Sequence, residues 1–216
     1  MPEPAYLSQT RAAYNAVALD YARLLHDALS ENLWDRALLS AFAELVAADG
    51  GGPVADLGCG SGRLTGHLRS LGLVPLGIDL SSAMVEAAQQ AHPDLPFLEG
   101  SITAVPLGDG VLAGALAWYS IIHIPSAELA PVFAEFHRVL RPAGHLLLAF
   151  QAGQGELVRR QQAYGHAVSL VNYRHSPART VEQLQRAGLT VQAQLIRTPG
   201  KWETAEQAYL VVDKPR

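Results

Sequence analysis

Along the first fifty residues the apolar positions recur at intervals of three and four. Tyr14, Val17, Ala18, Tyr21, Leu24 and Leu25 form one stripe, and Leu38, Phe42, Leu45 and Val46 form a second. That spacing puts each set on one face of a helix, so two amphipathic helices are expected. Asp49-Gly50-Gly51-Gly52-Pro53 ends the second helix and opens an extended segment. Beyond it the period changes. Short apolar runs at 53–57, 74–78, 96–99, 111–117 and 145–150 are interleaved with helix-patterned stretches at 62–70, 81–91 and 126–140. Strands that recur with helices between them predict a parallel sheet covered on both faces.

The last third is patterned differently. Residues 151–178 hold Gly153, Gly155 and Gly165 among polar and aromatic residues with no clear period, which predicts an irregular insert over the carboxyl edge of the sheet. Helical pattern returns at Thr180-Val181-Glu182-Gln183, a Thr-x-x-Gln capping box, and stops at Gly188. Leu189, Val191, Ala193 and Leu195 then alternate with polar residues as a half-buried strand, and Ala208 to Val212 supply a last apolar strand. With 216 residues and 49% hydrophobic content, the chain can bury one full core. A single domain is expected, with a helical cap over 1–48, a core over 53–150, the insert over 151–178, and a helix and hairpin over 179–216.

The chemistry concentrates where the first strand ends. Val54-Ala55-Asp56-Leu57-Gly58-Cys59-Gly60-Ser61-Gly62-Arg63-Leu64 is an apolar strand, an acid and three alternating glycines opening into a helix. Without Cβ atoms the backbone can turn tightly and meet a ligand closely. Dinucleotide-binding loops follow G-x-G-x-x-G and cradle a pyrophosphate. Here the third glycine comes one residue early, and Asp56 would repel phosphate but could hold a cation. Taken alone, the loop is compatible with a dinucleotide site, a cation-bearing nucleoside cofactor or a bare tight turn. A second apolar run, Val74-Pro75-Leu76-Gly77-Ile78-Asp79, ends in a carboxylate about twenty residues on, where a βαβ unit delivers an acid to ribose hydroxyls. Asp79 is also placed to cap the next helix together with Ser81.

The D-x-G-x-G-x-G loop closely resembles the first motif of the class I S-adenosylmethionine-dependent methyltransferases, in their small-molecule type 11 and type 25 groups. The resemblance extends to Glu99-Gly100-Ser101-Ile102 with Val105-Pro106-Leu107, and to His137-Arg138-Val139-Leu140-Arg141-Pro142-Ala143-Gly144-His145, covering roughly residues 50–150 in order. It implies a Rossmann-like, doubly wound α/β fold: a seven-stranded, mostly parallel sheet with a C-terminal antiparallel hairpin and an N-terminal helical lid. It also implies S-adenosyl-L-methionine as cofactor. Asp56, Gly58, Cys59, Gly60 and Gly62 would surround the aminoacyl part, Asp79 and Leu80 the ribose, and Ser101 and Ile102 the adenine. Ala117 and Trp118 would complete the wall, and Tyr14 and Tyr21 would face the sulfonium from the lid, where aromatic rings attract cations. Ser101 stands where many relatives carry an Asp for the adenine amino group, and Ala113 stands where they carry a structural Asp.

A net charge of −4 argues against a broad nucleic-acid footprint. No apolar run approaches the roughly twenty residues that span a bilayer, and the N-terminus lacks a basic-then-apolar secretory pattern, so a cytoplasmic monomer or homodimer is expected. Cys59, the one cysteine, excludes an internal disulfide and reads as a packed apolar residue. No metal site is expected, because no cluster has ligand spacing. An oxidoreductase using a nicotinamide cofactor and a non-catalytic cofactor sensor are the alternative readings. The first requires a pyrophosphate loop, and the second requires binding without turnover.

The acceptor should sit beyond the strand ends, near Trp118, Tyr119 and His123, near Gln151, and under Tyr164, His166, Tyr173, Arg174 and His175 of the insert. Methyl transfer from a sulfonium is a direct displacement, so alignment and exclusion of water matter most. His123 and Tyr119 are the catalytic candidates: imidazole titrates near neutrality and could take a proton from an acceptor. His123 also reads as a packed residue between isoleucines. Ala117-Trp118-Tyr119-Ser120 replaces the Asn-Pro-Pro-Tyr tetrapeptide of nucleic-acid and protein amino-methylating enzymes, which favours a small-molecule acceptor and no nucleic-acid or membrane partner. Aromatic residues in the insert and Trp202, in Gly200-Lys201-Trp202, suggest a flat or apolar partner and equally suit a dimer contact.

Overall fold

The computed structural model describes residues 3–30, 32–201 and 203–216, so Trp202 lies outside the described residues. The two N-terminal helices form as the periodicity requires, α1 over Ala5–Leu24 and α2 over Leu33–Ala48. Asn32 caps α2, its side chain accepting from the backbone of Trp34 and Asp35. The core then runs β1 (Pro53–Leu57), α3 (Arg63–Ser70), β2 (Val74–Asp79), α4 (Ser82–Ala91), β3 (Phe97–Glu99), β4 (Leu112–Trp118), α5 (Leu129–Val139) and β5 (Leu140–Gln151). The chain ends with β6 (Leu157–Arg160), β7 (Leu170–Tyr173), α6 (Pro177–Arg186), β8 (Thr190–Arg197) and β9 (Gln207–Asp213).

The main sheet has the order β3-β2-β1-β4-β5-β9-β8. β1 to β5 pair parallel, whereas β9 runs antiparallel between β5 and β8. Buried strands send alternate side chains to opposite faces. Leu112, Ala115, Leu146, Leu148, Phe150 and Leu210 pack on one side with Phe133 and Phe136 of α5. Leu116, Leu147, Tyr209 and Val211 pack on the other with Leu39, Phe42 and Val46 of α2 and Leu64 and Leu68 of α3. Gly114 in β4 is a requirement of this second layer: a Cβ there would lie 2.9 Å from both Phe42 and Val46. Sequence order reverses between β1 and β4, and at such a switch point the strand ends splay and leave a crevice.

Two expectations change. The insert is not irregular: β6 and β7 form a separate antiparallel ribbon, with Leu157 opposite Tyr173 and Arg160 opposite Leu170. Each strand is only four residues, and β6 is mostly exposed, so no buried alternation marked it. The capping box at Thr180 does not open α6. The helix starts at Pro177, whose fixed φ suits the first turn, leaving Thr180 buried inside it with its N–H on the Ser176 carbonyl at 2.9 Å. Among the described residues no helix is long and apolar enough to cross a membrane.

Candidate active site

The crevice at the switch point is a cavity of about 960 Å³ beyond the carboxyl ends of β1, β2, β4 and β5. Its floor is the glycine loop, folded back on β2: the Gly58 and Cys59 amides donate to the Ile78 carbonyl at 2.7 and 3.0 Å, and the Gly60 amide to Asp79 Oδ2 at 2.8 Å. Gly58 has φ +84°, and a Cβ there would lie 2.4 Å from Ser120 Cβ, so the loops after β1 and β4 can meet only over bare backbone. Gly60, at φ +55°, lies under the Tyr21 ring.

Asp56 is buried at the end of β1 and accepts from Thr65 Oγ1 at 2.7 Å. Burial pushes its carboxyl up to about 7, against the opposing pull of the Thr65 hydroxyl and the Arg63 charge. Asp79 is also raised by burial, partly offset by the amides of Ser81, at 2.9 Å, and Gly60. Asp79 therefore does cap the turn into α4, yet each oxygen keeps a further lone pair for a ligand. Ser81 completes the cap with Met84 N at 3.1 Å, and its own hydroxyl donates to Asn15 of α1 at 2.6 Å. Asn15 was invisible in the sequence, because its partner lies 66 positions away.

The roof comes from two elements. Tyr14 and Tyr21 reach down from α1, edge-to-face at 5.9 Å, and Tyr21 meets Tyr164 of the insert at 4.9 Å. His166 of the insert bonds Asp20 of α1 at 2.7 Å. His123, in the 3₁₀ turn Ile121–His123 after β4, is buried with both ring nitrogens engaged. Nδ1 faces the Val171 carbonyl at 3.0 Å and therefore donates, so Nε2 accepts from the Tyr14 hydroxyl at 2.8 Å. Burial pulls this imidazole down to about 4, and burial raises Tyr14 and Tyr21. Both rings and the imidazole are neutral near pH 7.

At the β9 end, Tyr119 (φ +56°) approaches the Tyr209 hydroxyl at 3.3 Å. The Tyr209 hydroxyl donates to Asp35 at 2.9 Å and accepts from Arg197 Nε at 3.0 Å, while Arg197 pairs with Glu203. Of the expected residues, Tyr14, Tyr21, Asp56, Gly58, Cys59, Gly60, Asp79, Leu80, Ser101, Ile102, Trp118, Tyr119 and His123 all line the cavity, as do Gln151 and Tyr164. Gly62 and Ala117 do not: Gly62 caps α3 in the left-handed region, and Ala117 is wholly buried in β4. His166, Tyr173, Arg174 and His175 also lie off it. His175 is structural, bonding Ser126 and the Ile121 carbonyl at 3.1 and 3.0 Å. Arg63, Arg160 and Asn172 line the cavity and were not expected there. Among the described residues no group of His, Cys, Asp or Glu could hold a metal ion.

The sheet order, the switch-point cavity and the glycine floor define a methyltransferase-type doubly wound α/β protein. Residues 54–144 match the family profile described as "Methyltransferase domain". The chain is 32% identical over 129 residues to demethylmenaquinone methyltransferase of Beutenbergia cavernae, covering 58% of this chain and 51% of that protein. It is 30% identical over 154 residues to malonyl-[acyl-carrier protein] O-methyltransferase of Salmonella typhimurium, covering 71% and 57%. The chain spans about half the length of the curated relatives it matches. Magnesium protoporphyrin IX methyltransferase from Synechocystis PCC 6803, solved with bound SAM, shares the fold at a TM-score of 0.72 and 18% identity over 99% of both chains. Over residues 54–144 the chain is similar to the methyltransferase domain that these relatives carry.

Proposed function

We propose that the protein transfers a methyl group from S-adenosylmethionine to a small-molecule acceptor in the cytoplasm. The observation that carries this reading is one cavity with a charge-matched floor, two carboxylates and a guanidinium, beneath a roof of neutral aromatic rings. The cofactor's aminoacyl end is a zwitterion and needs both charges. Asp56 suits its ammonium. Arg63, which has no hydrogen-bond partner among the described residues and opens α3, suits its carboxylate, with the helix N-terminus adding to the attraction. Asp79 has spare lone pairs for two ribose hydroxyls. The Ser101 hydroxyl is already committed to Thr103, with Oγ1 at 2.7 Å and N at 3.2 Å, so adenine falls to packing on Ile102 and to the backbone of 100–102.

When bound, the sulfonium supplies an activated methyl group that leaves with neutralisation of a positive charge. The tyrosines of α1 would stabilise that charge by their π-faces and exclude water. His123 acts as a positioning residue in this reading: it fixes the Tyr14 hydroxyl and, through Val171, ties α1 to the insert. Tyr119 shapes the acceptor wall through Tyr209. Calorimetric titration with S-adenosylhomocysteine tests the assignment. We expect binding that Asp79→Ala and Arg63→Met each weaken about 10-fold or more, the scale of a lost charged hydrogen bond. No binding, or binding indifferent to both changes, refutes it. The names of the relatives, which act on a quinone precursor and an acyl-carrier conjugate, support an organic acceptor.

A further inference from the structure

The roof end of the cavity holds chemistry that the cofactor does not use. Arg160, at the end of β6, faces the cavity with no hydrogen-bond or ion-pair partner among the described residues. Its charge reaches His123 and Tyr164. The carboxylates that line the cavity are all committed elsewhere: Asp56 to Thr65, Asp79 to two amides, Asp35 to Tyr209 and Glu203 to Arg197. Arg11, another cation on this wall, is held by Glu3 and the Leu80 carbonyl. On β7, Asn172 is 5% exposed and lines the cavity, yet its Oδ1 has no partner. A buried acceptor left unpaired is costly, and a guest that brings a donor would relieve it. Among the described residues, free proton acceptors are lacking at this end. The His123 Nε2 lone pair is taken by Tyr14, and burial keeps Tyr14, Tyr21 and Tyr164 protonated.

With Arg63 assigned to the cofactor, the unpaired Arg160 guanidinium, set where the described residues offer no free base, suits an acceptor that arrives already deprotonated. Resting on the methyltransferase reading above, we infer that the acceptor is an organic carboxylate, seated by Arg160 and by a hydrogen bond from a neighbouring donor group to Asn172 Oδ1, and converted to its methyl ester. A lone pair of the carboxylate oxygen forms the new O–CH₃ bond as the methyl–sulfur bond breaks and its electron pair stays on sulfur. The products are the neutral ester and S-adenosylhomocysteine, and no proton is transferred. The ester lacks the negative charge that Arg160 holds, so the reaction itself weakens product binding.

The test uses the whole chain, methyl-labelled S-adenosylmethionine and a small-molecule extract. Methyl esters release their label as volatile methanol in mild alkali, whereas ethers, N-methyl and C-methyl groups do not. We expect alkali-labile product, reduced about 10- to 100-fold in Arg160→Met and partly restored in Arg160→Lys, with homocysteine-cofactor affinity unchanged in both. A readout free of turnover accompanies it. Monocarboxylates from benzoate to decanoate should bind the S-adenosylhomocysteine-loaded protein at least several-fold tighter than their amides, and that preference should vanish in Arg160→Met. Alkali-stable product, or no preference for carboxylates across the panel, overturns the inference and leaves the methyltransferase reading standing. Absence of any labelled product despite cofactor binding overturns both.

Discussion

If Asp56 holds the cofactor's ammonium, its affinity must fall with pH in a calculable way. Burial places the free protein's Asp56 at about 7, while the ammonium binds only the ionised carboxylate. Binding then releases the proton, and the apparent dissociation constant grows by a factor of 1 + 10^(pKa − pH). Relative to pH 8, affinity for S-adenosylhomocysteine should drop ~10-fold at pH 6 and ~100-fold at pH 5, since each unit corresponds to 1.36 kcal/mol. The groups facing Asp56 sharpen the test. Thr65 and Arg63 favour its charged form and Asp79 opposes it, so Asp79→Asn should shift the midpoint down, whereas Asp56→Asn should flatten the curve. Calorimetry in buffers of different ionisation enthalpy measures the protons released, which should be about 0.8 per site at pH 6.5 and rise toward one as pH falls. A pH-independent affinity between 5.5 and 8, with no proton released, would refute the argument for Asp56.

The same carboxylate makes a stability prediction. Its folded pKa lies above the unfolded value of about 3.9, so the fold favours the protonated form, and the resulting stability is full below pH 4 and lost as pH rises through 7. Asp56→Asn should therefore raise the melting temperature of the ligand-free protein at pH 8, with an upper limit of roughly 4 kcal/mol; an unchanged melting temperature would contradict this. Tyr14→Phe keeps the aromatic face but strands His123 Nε2. We expect a loss of about 1–3 kcal/mol in denaturant unfolding with little change in cofactor affinity. Tyr21→Ala should weaken S-adenosylmethionine more than S-adenosylhomocysteine, because only the former carries the sulfonium; equal losses by calorimetry would remove the cation–π role. Gly58→Ala must drive a Cβ to 2.4 Å from Ser120, so cofactor binding should be abolished while far-ultraviolet circular dichroism stays native.

Much of this architecture is legible in short-range pattern. The switch between 3.6- and 2-residue periods locates five strands of the parallel sheet, and the glycine loop with Asp79 locates the floor of the cavity, because those residues lie on adjacent strands and within one βαβ unit. What escapes is chemistry assembled across the topology. Asn15 meets Ser81, Tyr14 meets His123, and Asp35 meets Tyr209 over separations of 66, 109 and 174 positions, and no local signal marks them. Arg160 sits on a strand too exposed to show an alternation, and Asn172 on one whose alternation runs over only four residues. His123 stood out by type alone. Its sequence could not reveal that Val171 and Tyr14 occupy both of its nitrogens.

The roof has a kinetic meaning. Tyr14 and Tyr21 cover the cofactor floor, and the same two rings, through His123 and Tyr164, also form the wall against which Arg160 works. With α1 and the insert fastened at His166 and Asp20, one pole cannot open alone. If the proposed methyl transfer holds, this arrangement favours an ordered addition. The donor is then expected to enter first and leave last, with the acceptor seated after the aromatic rings have settled on the donor. S-adenosylhomocysteine should then compete with S-adenosylmethionine alone, while the methylated product inhibits non-competitively against both substrates.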